Sequence, residues 1–107
     1  MMEEEMIELG LFSNEEVKNQ NPDNPLYSKY LMHGITHFIG LDVHDVGGKY
    51  EPFKKGMVLT CEPGLYIIEE GIGIRIENDI MVDDTPVDLM AKIPRDVEEI
   101  EKIMNGK

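Results

Sequence analysis

The chain has a single cysteine, Cys61, in 107 residues, so no internal disulfide can form and a stapled secreted scaffold is excluded. Positive charge is scarce as well: 10 Lys and Arg stand against 22 Asp and Glu, for a net charge of -12. With no basic stripe to neutralise phosphates, nucleic acid and anionic membrane surfaces are excluded as partners. Long apolar runs are also missing. None approaches the roughly 20 residues that span a bilayer, and the N-terminus is acidic where a signal peptide would be basic. A cytoplasmic location is the expectation. Internal repeats and low-complexity segments are absent too.

What is present is enough for one domain: the chain is 41% hydrophobic, which at this length supports one core and not two. The acidic runs Glu3-Glu4-Glu5, Glu15-Glu16, Asp83-Asp84 and Glu98-Glu99 read as solvated faces. Met2, Met6 and Leu9 recur at helical spacing, predicting a helix over residues 2–9 that stops at Gly10. Met1-Met2 enters that helix without a preceding turn, which suggests a start placed inside a longer chain. Asn19 to Pro25 holds two prolines and is a loop.

Met57 to Glu62 reads as a strand closed by Pro63-Gly64, with a resumption over Leu65–Ile68 and a hairpin turn at Glu69-Glu70-Gly71. Ile72, Ile74 and Ile76 then alternate with Gly73, Arg75 and Glu77, so one strand is expected to carry Arg75, Glu77 and Asp79 on one face. Val87 to Met90 is a short closing strand. Pro94 marks the start of a last helix over 95–104 with Val97, Ile100, Ile103 and Met104 on one stripe. Helices flanking several antiparallel strands give an α+β domain.

Three residues carry ligand chemistry. An imidazole at His37 and carboxylates at Glu62 and Glu77 can together hold a divalent ion and leave positions open for water or substrate. The bland alternatives are a packed histidine and an ordinary salt bridge between Arg75 and Glu77. A carboxylate closing the apolar strand at Glu62 is costly to bury without a positive partner. A metal ion would serve, and so would Arg75 through a bidentate contact. His33 and His44 fall in the same window but cannot be assigned to one face by spacing, and structural roles stay open for both. Cys61, opposite Glu62, reads as a small core residue.

The run from His33 to Gly47, His-Gly-Ile-Thr-His-Phe-Ile-Gly-Leu-Asp-Val-His-Asp-Val-Gly, resembles the central signature of the Xaa-Pro aminopeptidases and prolidases. Two further blocks agree with it in order and type, Gly56 to Tyr66 and Gly71 to Asp79. The resemblance implies the C-terminal half of a pita-bread fold, an antiparallel sheet with flanking helices, and makes residues 1–107 a partial metallopeptidase domain whose upstream half is absent. It implies that His37 and Glu62 are ligands to one metal and that Glu77 bridges two, commonly manganese. Glu62 would also take a proton from the attacking water, His44 would steady the tetrahedral intermediate, His33 would lie near the proline side, and Arg75 would support the ligands.

The implied substrate is a peptide with proline at the second position, and the reaction releases its N-terminal residue. A dipeptidase, or a metal-free pita-bread binding module, is the alternative. The family also uses two aspartate ligands ahead of this signature, and no matching pair precedes His33; Asp23 sits in the Asn-Pro loop. The chain by itself is therefore expected to be inactive and to hold one ion weakly or none, with zinc favoured over manganese. An apolar face left bare by the missing half would favour a homo-oligomer.

Overall fold

The computed structural model describes residues 2–48 and 50–106, so Met1, together with the expectation attached to the chain start, lies outside the described residues. Chain contacts divide the molecule into two compact units, one built from residues up to His33 with Gly64–Ile74, the other from Gly34–Pro63 with the residues from Arg75 onward.

In the first unit, helix α1 spans Met2–Glu8 and the chain leaves it through Gly10, whose φ of 75° is a left-handed conformation that suits glycine. Helix α2, Asn14–Lys18, is not anticipated by hydrophobic periodicity. It is fixed by a capping box in which Glu16 N–H donates to the Ser13 hydroxyl oxygen at 3.2 Å and Ser13 N–H donates to Glu16 Oε2 at 2.7 Å. The bond from the Ser13 backbone N–H foremost, and then one from the Ser13 hydroxyl to the same Oε2 at 2.8 Å, hold the Glu16 carboxyl below its ordinary range. A 3-10 turn over Leu26–Lys29 follows the Asn-Pro loop. Met6, Phe12, Tyr30 and Leu31 form the core here, with Leu65 and Ile67 packed against them.

Strand β2, Gly64–Ile67, supplies those last two residues and pairs with β3, Ile72–Arg75. Between the two strands, a 3-10 turn over Ile68–Glu70 ends at Gly71 with φ 64°. Lys29 and Glu69 form an ion pair at 2.7 Å, which raises the lysine and lowers the carboxylate.

The second unit is built on an antiparallel sheet of order β1-β4-β5, with β1 Val58–Cys61, β4 Asn78–Met81 and β5 Val87–Asp88. Residues 35–39 run along the free side of β1: Ile39 N–H donates to Val58 O, Thr60 N–H to His37 O and Glu62 N–H to Ile35 O, and Phe38 bridges Leu59. Helix α3, Val97–Met104, starts from Asp96, whose side chain accepts from Glu99 N–H, rather than from Pro94.

Two expectations need correction. The strand predicted to run unbroken through Ile72, Glu77 and Asp79 is two strands, β3 and β4, because the ladder changes partner at Ile76-Glu77. Cys61, expected as a small core residue, is exposed at the end of β1, although Leu59 on the same face is buried.

Met6 is 2% exposed at the centre of the first unit. Met6→Ala therefore lowers stability by about 2–5 kcal/mol, read as a fall in the urea midpoint at unchanged slope, whereas truncating the fully exposed Leu41 leaves the midpoint within about 0.5 kcal/mol of the parent.

Candidate metal centre

Strand register decides which side chains meet. β1 pairs with β4 as Val58 with Met81, Leu59 with Ile80, Thr60 with Asp79 and Cys61 with Asn78. One more step along this antiparallel ladder brings Glu62 opposite Glu77. On the other side of β1, the bond from Thr60 N–H to His37 O, 2.9 Å, sets His37 beside Thr60. Three neighbouring ribbons thus deliver His37, Glu62 and Glu77 to one place. One ligand atom from each lies within 4.8 Å of the others.

Glu62 is 8% exposed, and the side chains of His37, Thr60 and Arg75 turn toward its carboxylate. His37 Nε2 stands 3.3 Å from Glu62 Oε1, the Thr60 hydroxyl donates to that same oxygen at 3.2 Å, and Arg75 Nη1 lies 3.5 Å from Oε2. The arginine makes one contact here where a bidentate one was expected. It still gives the buried carboxylate a positive neighbour, which burial demands.

The tautomer of His37 bears on what fits between these groups. Its Nδ1 is 2.9 Å from the Phe38 carbonyl oxygen, which only accepts, so Nδ1 carries a proton and Nε2 faces Glu62. A neutral ring then points a lone pair at a carboxylate oxygen. Two such acceptors at 3.3 Å repel unless a proton or a cation lies between them. A backbone carbonyl on the second ring nitrogen is also the arrangement that orients metal-binding histidines. One imidazole nitrogen and two carboxylates suit divalent zinc or manganese, so the residues present fit a metal ion.

His44 joins this group from a tight loop. Asp45 N–H donates to Phe38 O, while the Asp45 carboxylate accepts from Leu41 N–H at 2.8 Å and Val46 N–H at 2.7 Å. The Val46 contact chiefly holds that carboxyl below its ordinary range. The loop sets the His44 ring over His37, with centroids 4.3 Å apart. Gly47 closes it by lying on the Phe38 ring, where no Cβ has room.

Of the expected site residues, His37, Glu62, Glu77, Arg75 and His44 are gathered in the second unit. His33 belongs to the first unit, where its Nε2 lies 3.1 Å from the Tyr66 hydroxyl over Gly64. Thr60, 2% exposed, was not singled out from the sequence. Its place on the Glu62 side of the strand follows from period-2 alternation, but its hydroxyl contacts carry no sequence signal.

A mixed imidazole and carboxylate cluster on adjacent antiparallel ribbons of an α+β chain is one that could hold a divalent metal ion. The chain belongs to metallopeptidase family M24, which its residues 3–84 match, and that membership implies a divalent metal. Xaa-Pro aminopeptidase of Escherichia coli (strain K12) is 40% identical over 92% of this chain and 25% of its own length. Xaa-Pro dipeptidase of Homo sapiens is 34% identical over 72% of this chain and 24% of its own. The chain thus spans about a quarter of the length of the curated relatives it matches.

Among solved structures, one from Bacillus anthracis, provisionally assigned as an aminopeptidase P, superposes with a TM-score of 0.76. It is 48% identical, and the match covers 97% of this chain and 23% of that one. The fold is accordingly of the pita-bread type, α+β with antiparallel sheets, as the resemblance implied.

Because Gly47 has no room for a side chain, Gly47→Ala forces Phe38 and the loop apart. The expected cost is about 1–3 kcal/mol, with a change in the His44 and His37 ring proton shifts in nuclear magnetic resonance spectra. Unchanged ring shifts would show that the loop does not set the histidine stack.

Proposed function

We propose that this chain contributes the His37, Glu62 and Glu77 portion of a metallo-aminopeptidase centre that releases the N-terminal residue from peptides with proline in second position. The observation that carries the reading is the convergence of those three donor atoms within 4.8 Å from three backbone segments. The names of the relatives, Xaa-Pro aminopeptidase and Xaa-Pro dipeptidase, support the substrate class. An Xaa-Pro amide carries no N–H, so a site that cleaves it must hold the substrate without that donor, as a metal acting on the carbonyl can.

His37 Nε2 and the carboxylates of Glu62 and Glu77 would hold the ion, manganese in the whole enzyme by family resemblance. When bound, it supplies Lewis-acid polarisation of the scissile carbonyl and acidifies water. The remaining work falls to side chains of this chain. Glu62 accepts the proton released as water attacks, and its hydrogen bond from Thr60 keeps the carboxylate aimed. Arg75 places its guanidinium beside Oε2 of that carboxylate and so holds it from the second side. His44, held over His37, is placed to donate to the oxygen on which charge develops.

The second reading within the family is a dipeptidase, supported by the human relative of that name. A metal-free binding module is disfavoured because all three donor residues are retained and converge. Two aspartates implied by the resemblance have no counterpart ahead of His33, so by itself the chain is expected to hold one ion and to lack turnover.

Titration calorimetry with zinc should give saturable heat with one ion per chain, a lower affinity for manganese, and no saturable heat with Glu62→Ala. Equal heat after Glu62→Ala, or none with the parent, removes the metal-centre reading. Any protein that joins this segment to the two aspartates should cleave Xaa-Pro tripeptides with manganese if it is the aminopeptidase. Turnover confined to Xaa-Pro dipeptides would select the dipeptidase.

A further inference from the structure

Thr60 lies at the middle of the metal-centre reading without being a ligand in it. Its side chain is almost wholly buried, at 2% exposure, and a buried hydroxyl must be hydrogen-bonded or cost stability. Both of its capacities are used on the two residues that matter most. The oxygen accepts the His37 backbone N–H at 3.0 Å, and the proton goes to Glu62 Oε1 at 3.2 Å. Thr60 N–H in turn donates to His37 O at 2.9 Å. One residue therefore grips His37 at its N–H and its C=O while aiming the Glu62 carboxylate.

We infer that Thr60 is a positioning residue that sets the spacing between the His37 imidazole and the Glu62 carboxylate. This rests on the reading of those residues as a metal centre. The proton from Thr60 occupies one lone pair of Oε1 and fixes the rotation of the carboxylate, leaving the remaining lone pairs directed at Nε2 and outward. The competing explanation is that threonine stands here only because a β-branched residue suits a strand. Valine satisfies that explanation fully and the inference not at all, because it keeps the branched shape and removes the hydroxyl. Serine does the reverse.

The test compares zinc affinity by calorimetry for the 107-residue parent, Thr60→Val and Thr60→Ser, each also unfolded thermally with chelator present. The expected result is a loss of about 10- to 100-fold in affinity for Thr60→Val and recovery to within about threefold of the parent for Thr60→Ser, on the scale of that loss. If Thr60→Val is not folded, Thr60→Ala takes its place, and the hydroxyl role requires it to bind at least about tenfold more weakly than Thr60→Ser.

Affinity of Thr60→Val within threefold of the parent overturns the inference while leaving the centre intact, and so does a Thr60→Ser that binds as weakly as the valine variant. No zinc heat from the parent overturns the centre itself and the inference with it.

Discussion

The antiparallel register between β1 and β4 is the constraint on which the site depends. Cys61 opposite Asn78 puts the next residue of each segment, Glu62 and Glu77, side by side. A slip of one residue would turn every side chain of a strand to the other face and send one carboxylate away from the other. The same β1 backbone is paired on its second side by residues 35–39, so its position is fixed from two directions. The buried Glu62 then has a hydroxyl, an imidazole and a guanidinium around it, an environment that makes the burial of a carboxylate tolerable.

Much of this was legible in the sequence because it follows from local rules. Gly10, Pro63-Gly64 and Gly71 end elements where chain chemistry requires, and period-2 alternation places Thr60 and Glu62 on one face. The three donors could be named from residue type and then from family likeness. What alternation cannot supply is the identity of the partner strand. Ile72 to Asp79 reads as one strand, yet β3 pairs with β2 and β4 with β1, and the exchange happens at the very point where Glu77 sits.

Cys61 fails for a related reason. Its residue type is usually buried, but burial depends on what covers each position, and on one face of β1 Leu59 is covered while Cys61 at the strand end is not. Helix α2 escapes periodicity because five residues are too few for a stripe; the Ser13–Glu16 spacing was its only local sign. Thr60 is the sharper case. Threonine is common in strands for steric reasons, so nothing in its type or position separates a filler from a residue that grips two others.

The three donors lie far apart along the chain and meet only through the sheet. A cation joining them would close two large loops at once and act as a cross-link, shrinking the freedom of the unfolded chain much as a disulfide does. Affinity for the ion and cohesion of the sheet are then one quantity seen from two sides. Substitutions that loosen the sheet far from the donors would register as weaker ion capture, and the ion would serve as a gauge of fold integrity as well as a reagent.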